Sequence, residues 1–140
     1  MAKKPVQLTL GWTGDLTFRV RLPDGRELTT DGGSRLGLSP VELLAAALGG
    51  CMAADVVHVL TRGRQPLKAL RTHLTAERAQ SNPHRLVRVS IEFLATGDID
   101  PQQLDRAVQL SRDRYCSVWN SLRTDTALEV VTHVEADGRE

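Results

Sequence analysis

The sequence predicts an α+β fold built on a mainly antiparallel sheet. Three observations carry that prediction. Several stretches alternate apolar and polar side chains with a period of two, which marks half-buried strands. One long run, LSPVELLAAALGGCMAADVVHVL at residues 38–60, opens like a helix and then stays apolar. The order along the chain is strands, long helix, two strands, a pair of shorter helices and a last strand.

Residues 16–22, LTFRVRL, place Leu16, Phe18, Val20 and Leu22 on one face and Thr17, Arg19 and Arg21 on the other. PDGR at 23–26 is a strong turn signal, and ELTTD at 27–31 returns as the neighbouring strand. GGSRLG at 32–37 reads as a loop. Ser39, Pro40 and Glu42 then fit a capping box, with Ser39 as N-cap, Pro40 opening the helix and Glu42 reaching back. LKALRTHLTAE at 67–77 and LVRVSIEFLAT at 86–96 alternate and read as adjacent antiparallel strands, the second carrying Val87, Val89, Ile91 and Phe93 on one side. Asp100 and Pro101 open a helix predicted to run to about Arg114, with Leu104, Ala107 and Val108 as its apolar stripe. YCSVWNSLR at 115–123 reads as a short helix or tight turn, and TALEVVTHVE at 126–135 as the closing strand.

With 140 residues, 41% hydrophobic and 25% charged, the chain is expected to form one soluble globular domain over 1–140. A formal net charge of +1 and the lack of a basic block argue against nucleic-acid or membrane-surface binding. MAKKPVQLTL has two lysines but no apolar core of the kind a signal peptide needs, so a cytoplasmic location is expected. Residues 41–60 have the length of a membrane span. However, Glu42, Asp55 and His58 interrupt them, and their apolar content is mostly alanine and glycine. The better reading is a helix buried in protein. One sheet face cannot cover a helix that is apolar nearly all round. Its small residues, among them Ala45, Ala46, Gly49, Gly50 and Ala53, admit another backbone at close range. An intertwined homodimer is therefore expected.

The chain has two cysteines, and Cys51 sits inside this helix. At about 100° per residue, Cys51, Asp55, His58 and Arg62 fall on one stripe. That side should border a polar cleft, an interface or both. Asp55 is one turn from Cys51, and its carboxylate opposes negative charge on the sulfur, unless Asp55 pairs with His58 or Arg62 instead. His58 lies roughly 10 Å further along the axis, too far to be the base for Cys51. Any activating cation must come from elsewhere; Arg19, Arg21, Arg26 and Arg35 precede the helix. The residues alone leave two readings open: a redox thiol, or a small buried hydrophobe. No metal or cofactor is expected, because the cysteines are far apart and His58, His73, His84 and His133 are scattered without ligand spacing.

SPVELLAAALGGCMAADVV, taken with YCSV some 65 residues later, resembles the OsmC/Ohr family, the osmotically inducible protein C and organic hydroperoxide resistance proteins. The resemblance extends to the element order. It implies an OsmC-like fold: an intertwined homodimer with sheets wrapped around two long central helices. It implies reduction of organic hydroperoxides, with an external thiol or dithiol as reductant. Cys51 matches the family's peroxidatic cysteine and Cys116 its resolving cysteine, the two closing a disulfide. The family's activating arginine is best matched by Arg19, then Arg21. Where the characterised reductases carry a glutamate after the helix-opening proline, this chain has Val41, and Ser117 follows Cys116 where many members have proline. The resemblance is thus to a less characterised branch. A non-enzymatic thiol redox sensor or small-ligand binder is the alternative. Trp12, Trp119, Tyr115 and Met52 are candidates to line an apolar substrate pocket, with ordinary core packing the competing role for each.

Overall fold

The computed structural model describes residues 3–137. Contacts divide the chain into two compact units, Met1–Leu44 and Ala45–Glu140.

The first unit is an antiparallel meander of β1 (Thr9–Gly14), β2 (Thr17–Arg21) and β3 (Glu27–Asp31). β2 is the core of the predicted 16–22 strand, and β1 lies before it in the stretch where Leu8, Leu10 and Trp12 alternate, all three exposed. Asp31 ends β3 and is 5% exposed. Its carboxylate accepts the N–H groups of Gly33 (2.8 Å), Arg35 (3.2 Å) and Leu36 (2.9 Å), which folds the 32–37 loop around it. Those bonds hold the Asp31 carboxyl below the ordinary carboxylate range, the Leu36 and Gly33 amides contributing most. The capping box forms as the sequence predicts. The Ser39 hydroxyl accepts the Glu42 N–H at 3.1 Å, and Glu42 Oε1 accepts the Ser39 N–H at 2.8 Å.

The helix so capped, α1, spans Pro40–Arg62 without a break at Gly49 and Gly50. It leads to the second sheet, β4 (Leu67–Arg78), β5 (Leu86–Gly97) and β6 (Ala127–Glu135), in that order. β4 and β5 are antiparallel as predicted. β6, however, lies parallel to β5, so this sheet is mixed. A parallel neighbour needs a crossover. It is supplied by α2 (Pro101–Leu110), a π-helical turn at Ser111–Tyr115 and a 3₁₀ turn at Trp119–Ser121. The helix predicted to reach Arg114 thus widens after Leu110. α2 opens where expected, Asp100 Oδ1 accepting the Gln102 N–H at 2.9 Å.

One core serves this second unit. α1 contributes Leu48, Met52, Val56 and Leu60, spaced four apart and all at most 1% exposed. β5 contributes Val89, Ile91, Phe93 and Ala95, and α2 contributes Leu104, Ala107 and Val108. Burying each of the four α1 side chains is worth about 1.5–3 kcal/mol. Gly49 faces β4: a Cβ there would stand in ordinary contact, 3.4 Å from Leu74 Cδ1 and 3.9 Å from Thr72 Cγ2. α1 is long and apolar enough to span a membrane by composition, yet one stripe of it is the core helix of this unit. Only 28% of its most apolar window is buried. Ala46, Ala47, Gly50, Ala54 and Val57 remain on its exposed side. The chain supplies one long helix; a second would have to come from another copy.

Candidate active site at a thiol pair

The crossover brings to α1 the second cysteine that the sequence leaves far away. In the π-helical turn the Cys116 N–H reaches back five residues to the Ser111 carbonyl at 2.8 Å. Widening of this kind inserts a residue into the helical ladder and re-aims the side chains around it, and it is frequent at functional sites. Ser111 and Cys116 are both 0% exposed. The following turn clamps them. The Trp119 N–H donates to Cys116 Sγ at 3.3 Å, and Asn120 Nδ2 donates to the Cys116 carbonyl at 2.9 Å.

Cys51 and Asp55, one helical turn apart on α1, are half-buried. Cys51 Sγ, an Asp55 carboxylate oxygen and Cys116 Sγ all lie within 4.8 Å of one another. Both cysteines are free thiols. Disulfide formation requires closing the gap between their sulfurs to about 2.05 Å, which side-chain rotation can supply. Burial, first of all, pushes the Cys116 thiol up to about 11, and the neighbouring Cys51 adds to it. The Trp119 amide at Cys116 Sγ works the other way. Cys116 is therefore kept as a protonated thiol at neutral pH.

Asp55 does not pair with His58 or Arg62. It accepts the Ser111 hydroxyl at 2.7 Å instead. Three of the four residues of the predicted stripe, Asp55, His58 and Arg62, line one cleft of about 690 Å³ with Gln103, Arg106 and Tyr115, and Cys51 is not part of its lining. Ser111 escapes the residue reading. A signal for it exists: Leu104, Ala107, Val108 and Ser111 continue one helical stripe, and a lone hydroxyl on an apolar stripe wants a buried partner.

The remaining candidates separate. Arg19 lies on β2 in the first unit, its side chain 55% exposed and 3.9 Å from Glu27. Arg21 makes the closer pair with Glu27, at 3.0 Å. With Thr9, Gly11, Trp12 and Thr13 these two arginines line a groove of about 240 Å³. The four side chains proposed for one apolar pocket do not behave alike. Met52 is core at 0% exposure, Trp119 packs against the core, Tyr115 borders the cleft, and Trp12 is 70% exposed. Glu42 is used up in the capping box and in a bond from Ser34.

Comparison with known proteins finds relatives for this chain in sequence and in fold. The family model described as OsmC-like protein matches residues 31–131. Protein YhfA of Escherichia coli K12 is 36% identical over 115 residues, covering 81% of this chain and 86% of YhfA. A hypothetical protein from Aquifex aeolicus superposes with a TM-score of 0.89 at 29% identity, covering 96% of this chain and 99% of its own. An organic hydroperoxide resistance protein OsmC from Legionella pneumophila shares the fold at a TM-score of 0.67 and 18% identity, over 95% of this chain and 99% of its own.

Proposed function

The chain belongs to the OsmC-like protein family, and from that premise we propose that it is a thiol-dependent peroxidase acting on organic hydroperoxides. The observation that carries the reading is the meeting of Cys51 and Cys116, whose sulfurs lie within 4.8 Å. Cys51 is the half-exposed thiol of the pair, the one a substrate can approach. Its thiolate attacks the terminal peroxide oxygen. The O–O bond breaks, the alkoxide leaves and takes a proton as the alcohol, and Cys51 becomes a sulfenic acid. The Cys116 sulfur then attacks that sulfenic sulfur. The S–S bond forms, hydroxide leaves, and the Cys116 proton completes a water molecule. An external thiol or dithiol reduces the disulfide by exchange. Burial suits Cys116 to the second role only, since it holds the proton until a sulfenic acid forms beside it. Arg19, and after it Arg21, is the best match to the family's activating arginine, and loss of oxidation rate in Arg19→Ala or Arg21→Ala is the check on that match.

A homodimer completes this reading. The exposed small residues of α1 border a hollow of about 320 Å³ whose lining includes Ala46, Gly50 and Ala53 of α1 and Thr72 and Leu74 of β4. Packing a second α1 there would bury what the monomer leaves open, and sedimentation should give twice the chain mass of 15.4 kDa. The expected setting is the cytoplasm, where thiol reductants are available.

A second reading, a redox sensor without turnover, is favoured by the Asp55 carboxylate beside both sulfurs. The two separate in one assay: consumption of cumene hydroperoxide with excess dithiol, for wild type, Cys51→Ser and Cys116→Ser. Many turnovers in the wild type, none in Cys51→Ser and over-oxidation in Cys116→Ser support the peroxidase. A single equivalent consumed, with a disulfide that the dithiol does not recycle, supports the sensor.

A further inference from the structure

The same three atoms compose a donor set with a chemistry of its own. We infer that the reduced protein binds one thiophilic divalent cation, of the Zn²⁺ class, through Cys51 Sγ, an Asp55 carboxylate oxygen and Cys116 Sγ, and that oxidation of the thiols expels it. The inference goes beyond peroxidase activity and does not require it.

The argument begins with distance. A tetrahedral zinc site has metal–sulfur bonds of about 2.3 Å and metal–oxygen bonds of about 2.0–2.2 Å, which sets S···S near 3.8 Å and S···O near 3.5 Å. The three donor atoms lie within 4.8 Å of one another, so each needs to move by about an ångström or less. The donor types then select the ion. Two thiolates and one carboxylate suit zinc or cobalt, whereas magnesium and calcium take oxygen shells.

The surroundings supply what an engineered trio usually lacks. Ligating carboxylates are held by outer hydrogen bonds. Here the buried Ser111 hydroxyl donates to Asp55 Oδ2 at 2.7 Å, leaving the other oxygen for the ion. The Trp119 N–H donates to Cys116 Sγ at 3.3 Å and fixes that sulfur from behind. Asp55 also lines the cleft of about 690 Å³, which reaches the carboxylate end of the set, while neither sulfur borders it. Two thiolates and a carboxylate around a doubly charged ion leave one negative charge, and Arg62 and Arg106 line that cleft with the opposite sign. No ligand spacing in the sequence announces the set, because Cys116 arrives from the crossover and the other two from α1.

The redox coupling balances. Two metal-bound thiolates, one organic hydroperoxide and two protons from solvent give the disulfide, the alcohol, water and the free cation. The sulfurs lose two electrons and the O–O bond takes them. A disulfide has no thiolate to offer, so the oxidised protein loses the site.

The test uses the full chain, reduced and free of oxygen, titrated with Co²⁺ and then with Zn²⁺. The expected result is one cobalt per chain, with a thiolate-to-cobalt charge-transfer band and the visible bands of a tetrahedral ion, both displaced by one equivalent of Zn²⁺. Asp55→Asn should weaken Co²⁺ binding at least about tenfold, and Ser111→Ala about 10–100-fold, as outer partners do. A disulfide-forming oxidant should abolish the bands in step with disulfide formed. Folded wild type with two titratable thiols and no charge-transfer band would overturn the inference. So would cobalt binding that Asp55→Asn leaves unchanged, since the ion would then be held by sulfur alone. Cobalt binding without hydroperoxide turnover would support the site while removing the peroxidase, so the two readings fail separately.

Discussion

The second chemical step offers the sharpest quantitative test. The Cys116 thiol, at an ordinary 9.0, is pushed to about 11 by its burial and then by Cys51. At pH 7 the thiolate fraction is then about 10⁻⁴, against about 10⁻² for the unshifted thiol. If Cys116 attacks as thiolate, the smaller thiolate fraction is offset in part by the greater nucleophilicity of a more basic sulfur, and disulfide formation should be about tenfold slower at pH 7 than an unburied thiol in the same place would give. It should also accelerate about tenfold per pH unit, through 9, until it levels near 11. The assay is one equivalent of hydroperoxide added to reduced protein, acid quench on a time course, and mass spectrometry of sulfenic acid against disulfide from pH 6 to 10. A rate that levels at pH 9 would refute the argument from burial. A flat profile would refute it in another way, by showing that a neighbouring base such as Asp55 removes the proton. The same shift acts on stability. A pKa raised in the fold stabilises fully below the unfolded value near 9, and that contribution disappears as pH rises through 11. Cys116→Ser should therefore lose the wild type's alkaline softening between those values.

Further outcomes follow from individual contacts. Ser111→Ala removes a buried hydroxyl from a carboxylate and should cost about 1.5–3 kcal/mol, read as a fall of several degrees in Tm. Gly97→Ala should be worse than its size suggests, because Gly97 has φ +137° and a Cβ would stand 2.3 Å from the Pro66 carbonyl oxygen; a loss of roughly 2 kcal/mol or more in urea unfolding is expected. Phe93→Ala empties the centre of β5 at 0% exposure and should cost about 3–5 kcal/mol in the same assay. Asp31 is held below the usual carboxylate range by backbone amides, so its contribution is present above pH 4 and is lost as pH falls through its folded value. Asp31→Asn should therefore narrow the stability difference between pH 7 and pH 3, measured by urea unfolding at each.

Local signals in the sequence were strong where one element decides its own shape. The capping box at Ser39, the N-cap at Asp100, the alternation of β5 and the apolar stripe of α2 all act over a few residues, and each appears where the pattern puts it. The part of the stripe that runs from Asp55 through His58 to Arg62 was legible for the same reason. What the sequence withheld depends on pairing across the chain. Nothing in TALEVVTHVE says whether it joins β5 parallel or antiparallel, because both bury the same alternate residues. The widening after Leu110 is equally silent, since SRDRY carries no breaker, and it is this widening that delivers Cys116. The partner of Asp55 was missed because neighbours three and seven positions along its own helix looked sufficient, while Ser111 comes from another element.

The parallel seam between β5 and β6 also sets the order in which the molecule can be completed. A hairpin such as β4–β5 can zip as soon as its second strand is made, but a parallel partner must wait for the whole return path. That path includes α2 and Cys116, and β6 is made last. During synthesis Cys51 emerges 65 residues ahead of Cys116. Until β6 pairs with β5, the crossover is held against α1 by its own contacts alone, the Ser111–Asp55 bond among them. In a nascent chain Cys51 is open to pairing with a foreign thiol until that clasp closes. A chain halted just before Ala127 would carry both cysteines but lack the strand on which the return path ends.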